Sequence, residues 1–132
     1  MKKYILSIDQ GTTSSRVVIY DIKFHIVDIM QKEFKQYFPK DGWVEHDAIE
    51  ILNDVKKLIK TIVKKNNINS NNIISIGITN QRETSVLWNK ITGKPVNRAI
   101  VWQDRRTSDY CKKLKEKNKD NIIQNITGLI LD

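Results

Sequence analysis

The sequence lacks a disulfide framework, a metal-ligand pattern and a membrane-spanning run. Cys111 is the only cysteine among 132 residues, which excludes a disulfide within the chain and fits a reducing compartment. The two histidines, His25 and His46, have no partner at metal-ligand spacing, so we expect structural or surface roles for both. No apolar run approaches the ~18 residues that are needed to span a bilayer.

Common signatures of nucleotide and nucleic-acid binding are absent as well. The pattern G-x-x-x-x-G-K-[ST] does not occur, and no G-x-G-x-x-G precedes a predicted helix. The net charge of +8 comes mostly from lysines spread over helix faces and loops, without an RNA-binding aromatic motif or zinc-finger spacing. We therefore expect neither a nucleic-acid nor a membrane partner. The amino terminus leads directly into a strand without a signal-peptide pattern, which favours a cytoplasmic location.

The most informative stretch connects two predicted strands. Residues 4–8 and 17–20 are apolar runs of strand length, rich in β-branched and aromatic side chains. Between them a carboxylate, a glycine, four hydroxyls and an arginine are concentrated in the stretch Asp9-Gln10-Gly11-Thr12-Thr13-Ser14-Ser15-Arg16. Because a second strand comes directly after the turn, any ligand held there would sit on a hairpin.

The residue types of this turn suit a metal-bound polyphosphate. Gly11 permits a backbone conformation that a β-carbon would resist, and it lets main-chain N–H groups approach a ligand closely. Thr12 and its neighbours offer short hydroxyl donors, and Arg16 adds a permanent planar cation. Asp9 supplies a hard oxygen of the kind that magnesium prefers. Glycine, serine and threonine also occur in ordinary polar turns, so a turn without a ligand stays an alternative at this point.

The remaining pattern predicts a single α/β domain over residues 1–132. A third run from His25 to Phe34 continues an antiparallel meander. Asp47 and Glu50 have capping-box spacing and open a helix whose apolar stripe should cover one sheet face. The nearly continuous apolar run at residues 73–79 predicts a strand that is buried on both faces and parallel to the first. Short strands are predicted at residues 85–88 and 99–102. A helix is predicted at residues 107–117, with Tyr110, Cys111 and Leu114 facing inward. A second helix is predicted at residues 120–126 and ends at Gly128.

Polar side chains come directly after two further predicted strands. They form the clusters Asn80-Gln81-Arg82-Glu83-Thr84 and Gln103-Asp104-Arg105-Arg106. Ligands of open α/β sheets bind beyond the carboxyl ends of central strands. Asp9 also ends a strand. The stretch from Asp9 to Arg16 and the cluster from Asn80 to Thr84 should therefore open on the same edge of the sheet.

These strand ends, in this order, carry a family resemblance. Together with the segment Gly42-Trp43-Val44-Glu45-His46-Asp47, they closely resemble the amino-terminal part of the FGGY carbohydrate kinases over essentially the whole chain. That family belongs to the actin, hexokinase and Hsp70 superfamily. The resemblance implies a ribonuclease-H-like α/β domain: a mixed sheet, antiparallel in its first three strands, with flanking helices.

The resemblance also implies an activity. The pair Arg82-Glu83 with Trp102 points to the members that phosphorylate glycerol to glycerol 3-phosphate with ATP, of which this chain would be the amino-terminal part. A kinase for another polyol or a pentulose, and a phosphate-binding module without catalysis, are the alternatives. Glycerol and ATP or ADP would be the partners, with magnesium, and the intact enzyme would be a homo-oligomer, either a dimer or a tetramer.

The resemblance assigns site residues position by position. Those expected at the nucleotide phosphates are Gly11, Thr12, Thr13, Ser14 and Arg16, with Thr12 also near the phosphoryl group that is transferred. Asp9 would help to hold magnesium. Glycerol would be bound by the hydroxyl contacts of Arg82 and Glu83 and by the apolar wall of Trp102. The catalytic base and the adenine-binding residues are expected outside these 132 residues, so the chain alone should be inactive.

Overall fold

The computed structural model describes residues 2–132. The strands within that range are β1 (Tyr4–Gln10), β2 (Ser14–Asp21), β3 (Ile26–Glu33), β4 (Glu45–His46), β5 (Ile73–Thr79) and β6 (Ala99–Ile100). The helices are α1 (Ala48–Lys65), α2 (Ser108–Glu116) and α3 (Asp120–Thr127), with a 3-10 turn at Ser70–Asn72. The predicted order of strands and helices is thereby largely confirmed.

Four strands form the main sheet, in the order β3-β2-β1-β5. β2 is antiparallel to both β1 and β3, and β5 is parallel to β1. An antiparallel meander followed by a parallel strand after a crossover helix is the arrangement that the sequence pattern predicts. In this register Asp9 lies opposite Arg16 on one side and Thr79 on the other. Asp9 therefore lies between Arg16 of the hairpin and the end of β5, which leads into the polar cluster at residues 80–84.

The core lies between α1 and one face of the sheet. Leu58 and Ile62 of α1 are buried against β1 and β2 in a cluster with Leu6, Ile8, Val17, Ile19 and Ile68. Two α1 residues one helical turn apart reach this cluster because side chains at i and i+4 share a helix face. Each such side chain contributes about 1.5–3 kcal/mol through burial. The predicted apolar stripe of α1 is confirmed, and it orients the helix beneath the meander.

The strand β5 differs from the prediction that it is buried on both faces. Ile74, Ile76 and Ile78 are exposed, Ile78 to 72%. The reason is position: β5 is an edge strand of the sheet, and α1 packs against β2 and β3. An open groove of about 520 Å³, with Leu52 and Val55 of α1 on one side and Ile78 on the other, separates the helix from this edge.

Local predictions in the second half of the chain are partly correct. The predicted strand at residues 85–88 is reduced to single bridges, Ser85 to Ile100 and Trp88 to Pro95. Helices α2 and α3 are confirmed, and Gly128 ends α3 with a φ of 74°, a left-handed conformation that glycine adopts without strain. Cys111 is buried as expected, but Tyr110, predicted to face inward, is 65% exposed.

Removal of the α1 cap is expected to destabilise the chain by about 1 kcal/mol. The Asp47 carboxylate accepts hydrogen bonds from the N–H groups of Ile49 at 2.8 Å and Glu50 at 3.1 Å, so Asp47→Ala leaves two helix-end donors without this partner. Urea unfolding followed by circular dichroism measures the loss. Asp47→Asn is the matched control, because it keeps the capping oxygen; an equal loss in both variants would contradict the capping role.

Candidate active site

A polar cavity of about 470 Å³ lies beyond the carboxyl ends of β1 and β5. Its lining combines residues of the hairpin turn with residues that come after β5 and β6, namely Asp9, Gln10, Gly11, Thr12, Asn80, Gln81, Arg82, Glu83 and Trp102. The expectation that the polar strand ends open on the same edge is thus confirmed. Asp9, Gly11 and Thr12 line the cavity, whereas Thr13, Ser14 and Arg16 lie outside its lining.

Gly11 is needed for space rather than for an unusual backbone angle. Its N–H donates to the Ser14 carbonyl at 3.0 Å, which closes the turn. A β-carbon at this position would lie 3.2 Å from the same carbonyl oxygen. The φ of Gly11 is outside the left-handed region, where only Gly42, Gly93 and Gly128 are found among the glycines of residues 2–132. The expectation that a β-carbon would be resisted here thus agrees with the structure, and the cause is the close Ser14 carbonyl rather than the φ angle.

The residues of β2 next to the turn form a small polar network. Arg16 Nε donates to Gln31 Oε1 at 3.0 Å, and Gln31 Nε2 donates to the Ser14 hydroxyl at 2.8 Å. Arg16 Nη1 lies 3.8 Å from Asp9 Oδ2, and both side chains are about half exposed. Such a long, solvated ion pair is weak, so both the carboxylate and the guanidinium remain accessible to a ligand.

Trp102 links the two sides of the cavity. Its indole Nε1 donates to Thr12 Oγ1 at 3.0 Å, a contact between residues that are 90 positions apart. The Trp102 N–H donates to Thr84 Oγ1 at 3.4 Å, and that hydroxyl donates to Gln81 Oε1 at 3.1 Å. The indole is 48% exposed, so it can present an apolar face to a ligand while its edge holds Thr12.

A backbone turn brings both Arg82 and Glu83 to the cavity. Adjacent residues of a regular strand point to opposite faces, but Glu83 has a φ of 65°. This left-handed conformation is uncommon outside glycine, asparagine and aspartate. Both side chains line the cavity, as expected for residues just beyond a strand end.

The third polar strand end is mostly structural. Arg106 donates to Asp104 and to buried Glu45, both at 2.8 Å, and its guanidinium stacks 3.7 Å from the centre of the Trp43 ring. Asp104 also accepts from the Val44 N–H at 2.7 Å. Burial alone would raise the pKa of Asp104, but hydrogen bonds from Arg106 and Val44 lower it below its usual value. This cluster fixes the segment from Trp43 to Glu45 beside β6.

Three residues near the site are not among the residues that the sequence analysis assigns to a ligand. Gln81 lines the cavity, and its place within a polar strand end was the available signal. Gln36 donates to the Thr12 carbonyl at 3.2 Å, and its side-chain oxygen lies 2.5 Å from His46 Nε2. His46 is fully buried, whereas His25 is exposed beside Asp21. No motif or spacing singles out Gln36, and His46 lies in the segment from Gly42 to Asp47, which carries the family resemblance but assigns no ligand to it.

The stability of the chain is expected to fall as the pH decreases below about 6.5. Burial lowers the pKa of His46, and the side chain of Gln81 offsets part of this effect. The unfolded chain therefore takes up this proton more readily than the folded chain, so protonation favours unfolding. The pKa values of Asp21, Asp28 and Asp104 are also lowered, but carboxylates act only near and below about pH 4.

Urea unfolding between pH 7.5 and pH 5 measures the histidine contribution separately from that of the carboxylates. His46→Gln should flatten the pH dependence over this interval, because glutamine does not titrate. His25→Gln, a change at the exposed histidine, should leave the dependence as it is. A slope that persists in His46→Gln would assign the effect to another group.

Neither a preformed metal cluster nor a membrane helix is found in the part of the chain that the structure describes. Within residues 2–132, no three His, Cys, Asp or Glu side chains are grouped so that they could hold a metal ion. No helix in the same range has both the length and the apolar character that a membrane span requires. The cavity is lined by two carboxylates, those of Asp9 and Glu83, and any cation there would need ligands from elsewhere.

Comparison with known proteins shows the family. The model of the FGGY family of carbohydrate kinases, N-terminal domain, matches residues 4–132. A glycerol kinase from Staphylococcus haemolyticus is 54% identical over 132 residues, which are 100% of this chain and 26% of that protein. The crystal structure of Plasmodium falciparum glycerol kinase with ADP is 41% identical, with a TM-score of 0.87 over 99% of this chain and 26% of that one. The chain belongs to the FGGY family of carbohydrate kinases and matches its N-terminal domain.

The structural comparison also confirms the predicted fold class. Gluconate kinase from Lactobacillus acidophilus has a TM-score of 0.87 at 24% identity over 95% of this chain, a likeness that shows the fold alone. The sheet, antiparallel in its first three strands, and the helices around it are the predicted ribonuclease-H-like arrangement of this superfamily. The chain spans about a quarter of the length of the relatives it matches.

Proposed function

We propose that this chain is the amino-terminal portion of an ATP-dependent glycerol kinase. The enzyme transfers the γ-phosphoryl group of ATP to a terminal hydroxyl of glycerol and releases glycerol 3-phosphate and ADP. One observation carries the proposal: Arg82, Glu83 and Trp102 share a cavity with Asp9 and Thr12. Residues suited to a polyol thus lie directly beside residues suited to a phosphate. Relatives that are named glycerol kinases and match the whole chain support the choice of substrate.

The polyol side of the cavity matches the chemistry of glycerol. Each hydroxyl of glycerol both donates and accepts hydrogen bonds. The Glu83 carboxylate only accepts, and the Arg82 guanidinium donates several hydrogen bonds in a fixed fork, so the pair can orient a diol. The half-exposed indole of Trp102 supplies an apolar wall for the carbon chain. Specificity for glycerol over a pentulose or another polyol then depends on these three side chains.

The phosphate side uses the hairpin turn. Gly11 keeps the turn narrow, and the hydroxyls of Thr12, Thr13 and Ser14 can donate to phosphate oxygens. Arg16 supplies a cation 3.8 Å from Asp9, so it would act at the rim of the site. A turn with clustered donors is a common way to hold a polyphosphate.

Magnesium fits this site only together with the nucleotide. Asp9 offers one accessible carboxylate, and residues 2–132 provide no cluster of three ligands. Magnesium in kinases keeps several waters and is bound through one or two carboxylates and the substrate phosphates, which agrees with a single aspartate. The ion would supply positive charge against the transferring phosphoryl group. The chain's own contribution is to place a carboxylate at the end of a buried strand.

The catalytic base and the adenine site belong, in this proposal, to the larger part of the enzyme. Phosphoryl transfer depends on positioning and on charge stabilisation around the reacting group. The described residues line one wall of such a site, so we expect no turnover by the chain alone. We further propose that the complete enzyme is a cytoplasmic homo-oligomer, either a dimer or a tetramer.

A chimaeric enzyme tests the proposal. The chimaera is the Staphylococcus haemolyticus glycerol kinase in which the 26% that matches this chain is replaced by this chain. We expect glycerol-dependent ADP release near the typical enzyme rate of ~10 per second. The chain alone, and the relative with its matching quarter deleted, should show none. A folded chimaera that releases ADP with gluconate or xylulose but not with glycerol would overturn the substrate assignment. Turnover by the chain alone would show that the catalytic base lies within these 132 residues.

A further inference from the structure

His46 occupies a rigid position next to the hairpin turn. It is 0% exposed, ends β4 opposite Ala99, and lies edge-on to the Phe34 ring, with ring centroids 5.0 Å apart. Its neighbours are fixed by other contacts, since Glu45 pairs with Arg106 and Asp47 caps α1. Because the backbone is held on both sides, the imidazole has little freedom and can hold a partner in place.

The hydrogen bonds of Gln36 define what His46 does. Gln36 Nε2 donates to the carbonyl oxygens of Thr12 at 3.2 Å and Phe34 at 3.4 Å. The amide oxygen must then face His46, whose Nε2 lies 2.5 Å away. An amide oxygen only accepts, so His46 Nε2 carries the hydrogen and donates it. The result is a directed chain from His46 through Gln36 to the Thr12 carbonyl.

We propose that His46 is a positioning residue that, through Gln36, fixes the peptide between Thr12 and Thr13 for phosphate binding. The peptide group is planar, so the direction of the Thr12 carbonyl sets the direction of the Thr13 N–H. That N–H belongs to the turn at which the proposed function locates the nucleotide phosphates, and only this part of the role rests on the proposed function.

Thr12 is held from a second side as well. Its hydroxyl oxygen accepts the indole hydrogen bond of Trp102 and keeps its own hydrogen to donate to an anion. With the carbonyl held by Gln36, both oxygens of Thr12 are engaged, and the main-chain and side-chain donors of the turn keep fixed directions. Loss of His46 would free the Gln36 amide to rotate, and Thr12 would keep only the hydrogen bond from Trp102.

Nuclear magnetic resonance of the chain tests the positioning directly. His46→Leu should shift the Thr13 amide signal and the Trp102 indole signal, whereas the Trp88 indole signal should stay unchanged. His46→Gln should restore both signals, because glutamine can donate to Gln36. Gln36→Leu should give the same shifts, and His46→Leu should then add no further change, since residues that act in one chain are not additive. Unchanged Thr13 and Trp102 signals in Gln36→Leu, which retains the buried histidine, would overturn the proposal even if His46→Leu does not fold.

Kinetics of the chimaera test the consequence for phosphate binding. His46→Leu should raise the KM for ATP about tenfold and change the KM for glycerol much less. His46→Gln should return the KM for ATP to its starting value. A purely structural role would reduce the active fraction without changing either KM, and that result would overturn the proposal. A chimaera without turnover would instead contradict the proposed function, and the resonance shifts would still decide the role of His46.

Discussion

Asp9→Asn in the chimaera is expected to reduce kcat by about a hundredfold or more, since charge stabilisation by a bound metal contributes several kcal/mol to phosphoryl transfer. Asp9 is the next-to-last residue of β1, beside the hairpin turn, with its side chain about half exposed at the cavity. Asparagine keeps the size and one oxygen of this group but removes the negative charge. A hard divalent cation is held poorly by a neutral amide.

Binding of glycerol should change little in the same variant. The residues assigned to glycerol, Arg82, Glu83 and Trp102, lie on other strand ends. Asp9 forms an ion pair with Arg16 at 3.8 Å, and such a half-exposed pair contributes little to stability. The fold and the polyol side should therefore remain as they are.

Two measurements separate the metal role from general damage. Activity is followed over a range of magnesium concentrations, and glycerol binding is measured by calorimetry on the same preparation. Asp109→Asn, an identical change at an exposed position of α2, is the matched control and should leave both unaffected. Normal activity of Asp9→Asn at limiting magnesium would make Asp9 a turn residue without a metal role.

The main sheet was predictable because its signals are local. Two apolar runs around a stretch of glycine, serine and threonine indicate β1, β2 and the turn between them. The N-cap residue Asp47 marks the start of α1. The same local signal gave a wrong prediction for β5. The apolar run from Ile73 to Thr79 is typical of a buried strand, but it does not show which element, if any, covers the strand. Whether a strand is covered depends on which elements pack beside it, and that information is not in the strand.

The candidate site was predictable as a set of strand ends but not as a network. Asp9 and Glu83 stand out because polar residues come directly after apolar runs. The contact between Thr12 and Trp102 joins residues 90 positions apart, and Gln36 reaches the turn from a loop; neither leaves a periodic signal. Asp104 has the same sequence signature as a ligand-binding residue, yet it pairs with Arg106. Only the fold distinguishes a polar side chain that faces a cavity from one that fixes a loop.

The second large effect concerns substrate recognition at Glu83. In the chimaera, Glu83→Gln is expected to raise the KM for glycerol about ten- to a hundredfold, because a mispaired polar group costs ~1–3 kcal/mol. Glutamine replaces one accepting oxygen with a donor, so a glycerol hydroxyl that donates to this position loses its acceptor. The KM for ATP should remain unchanged, since the phosphate side is built from the hairpin turn.

Glutamine is the informative replacement because it leaves the backbone strain at position 83 unchanged. Glu83 has a φ of 65°, and glutamine meets the same steric cost in this region as glutamate. Alanine or glycine would alter the side-chain length or the strain together with the charge. Glu116→Gln, at the exposed end of α2, is the matched control for loss of one carboxylate. Steady-state kinetics with each substrate varied in turn test this assignment. Equal increases in both KM values would remove Glu83 from the glycerol pocket. An increase in the KM for glycerol alone would support the assignment of this carboxylate to a glycerol hydroxyl.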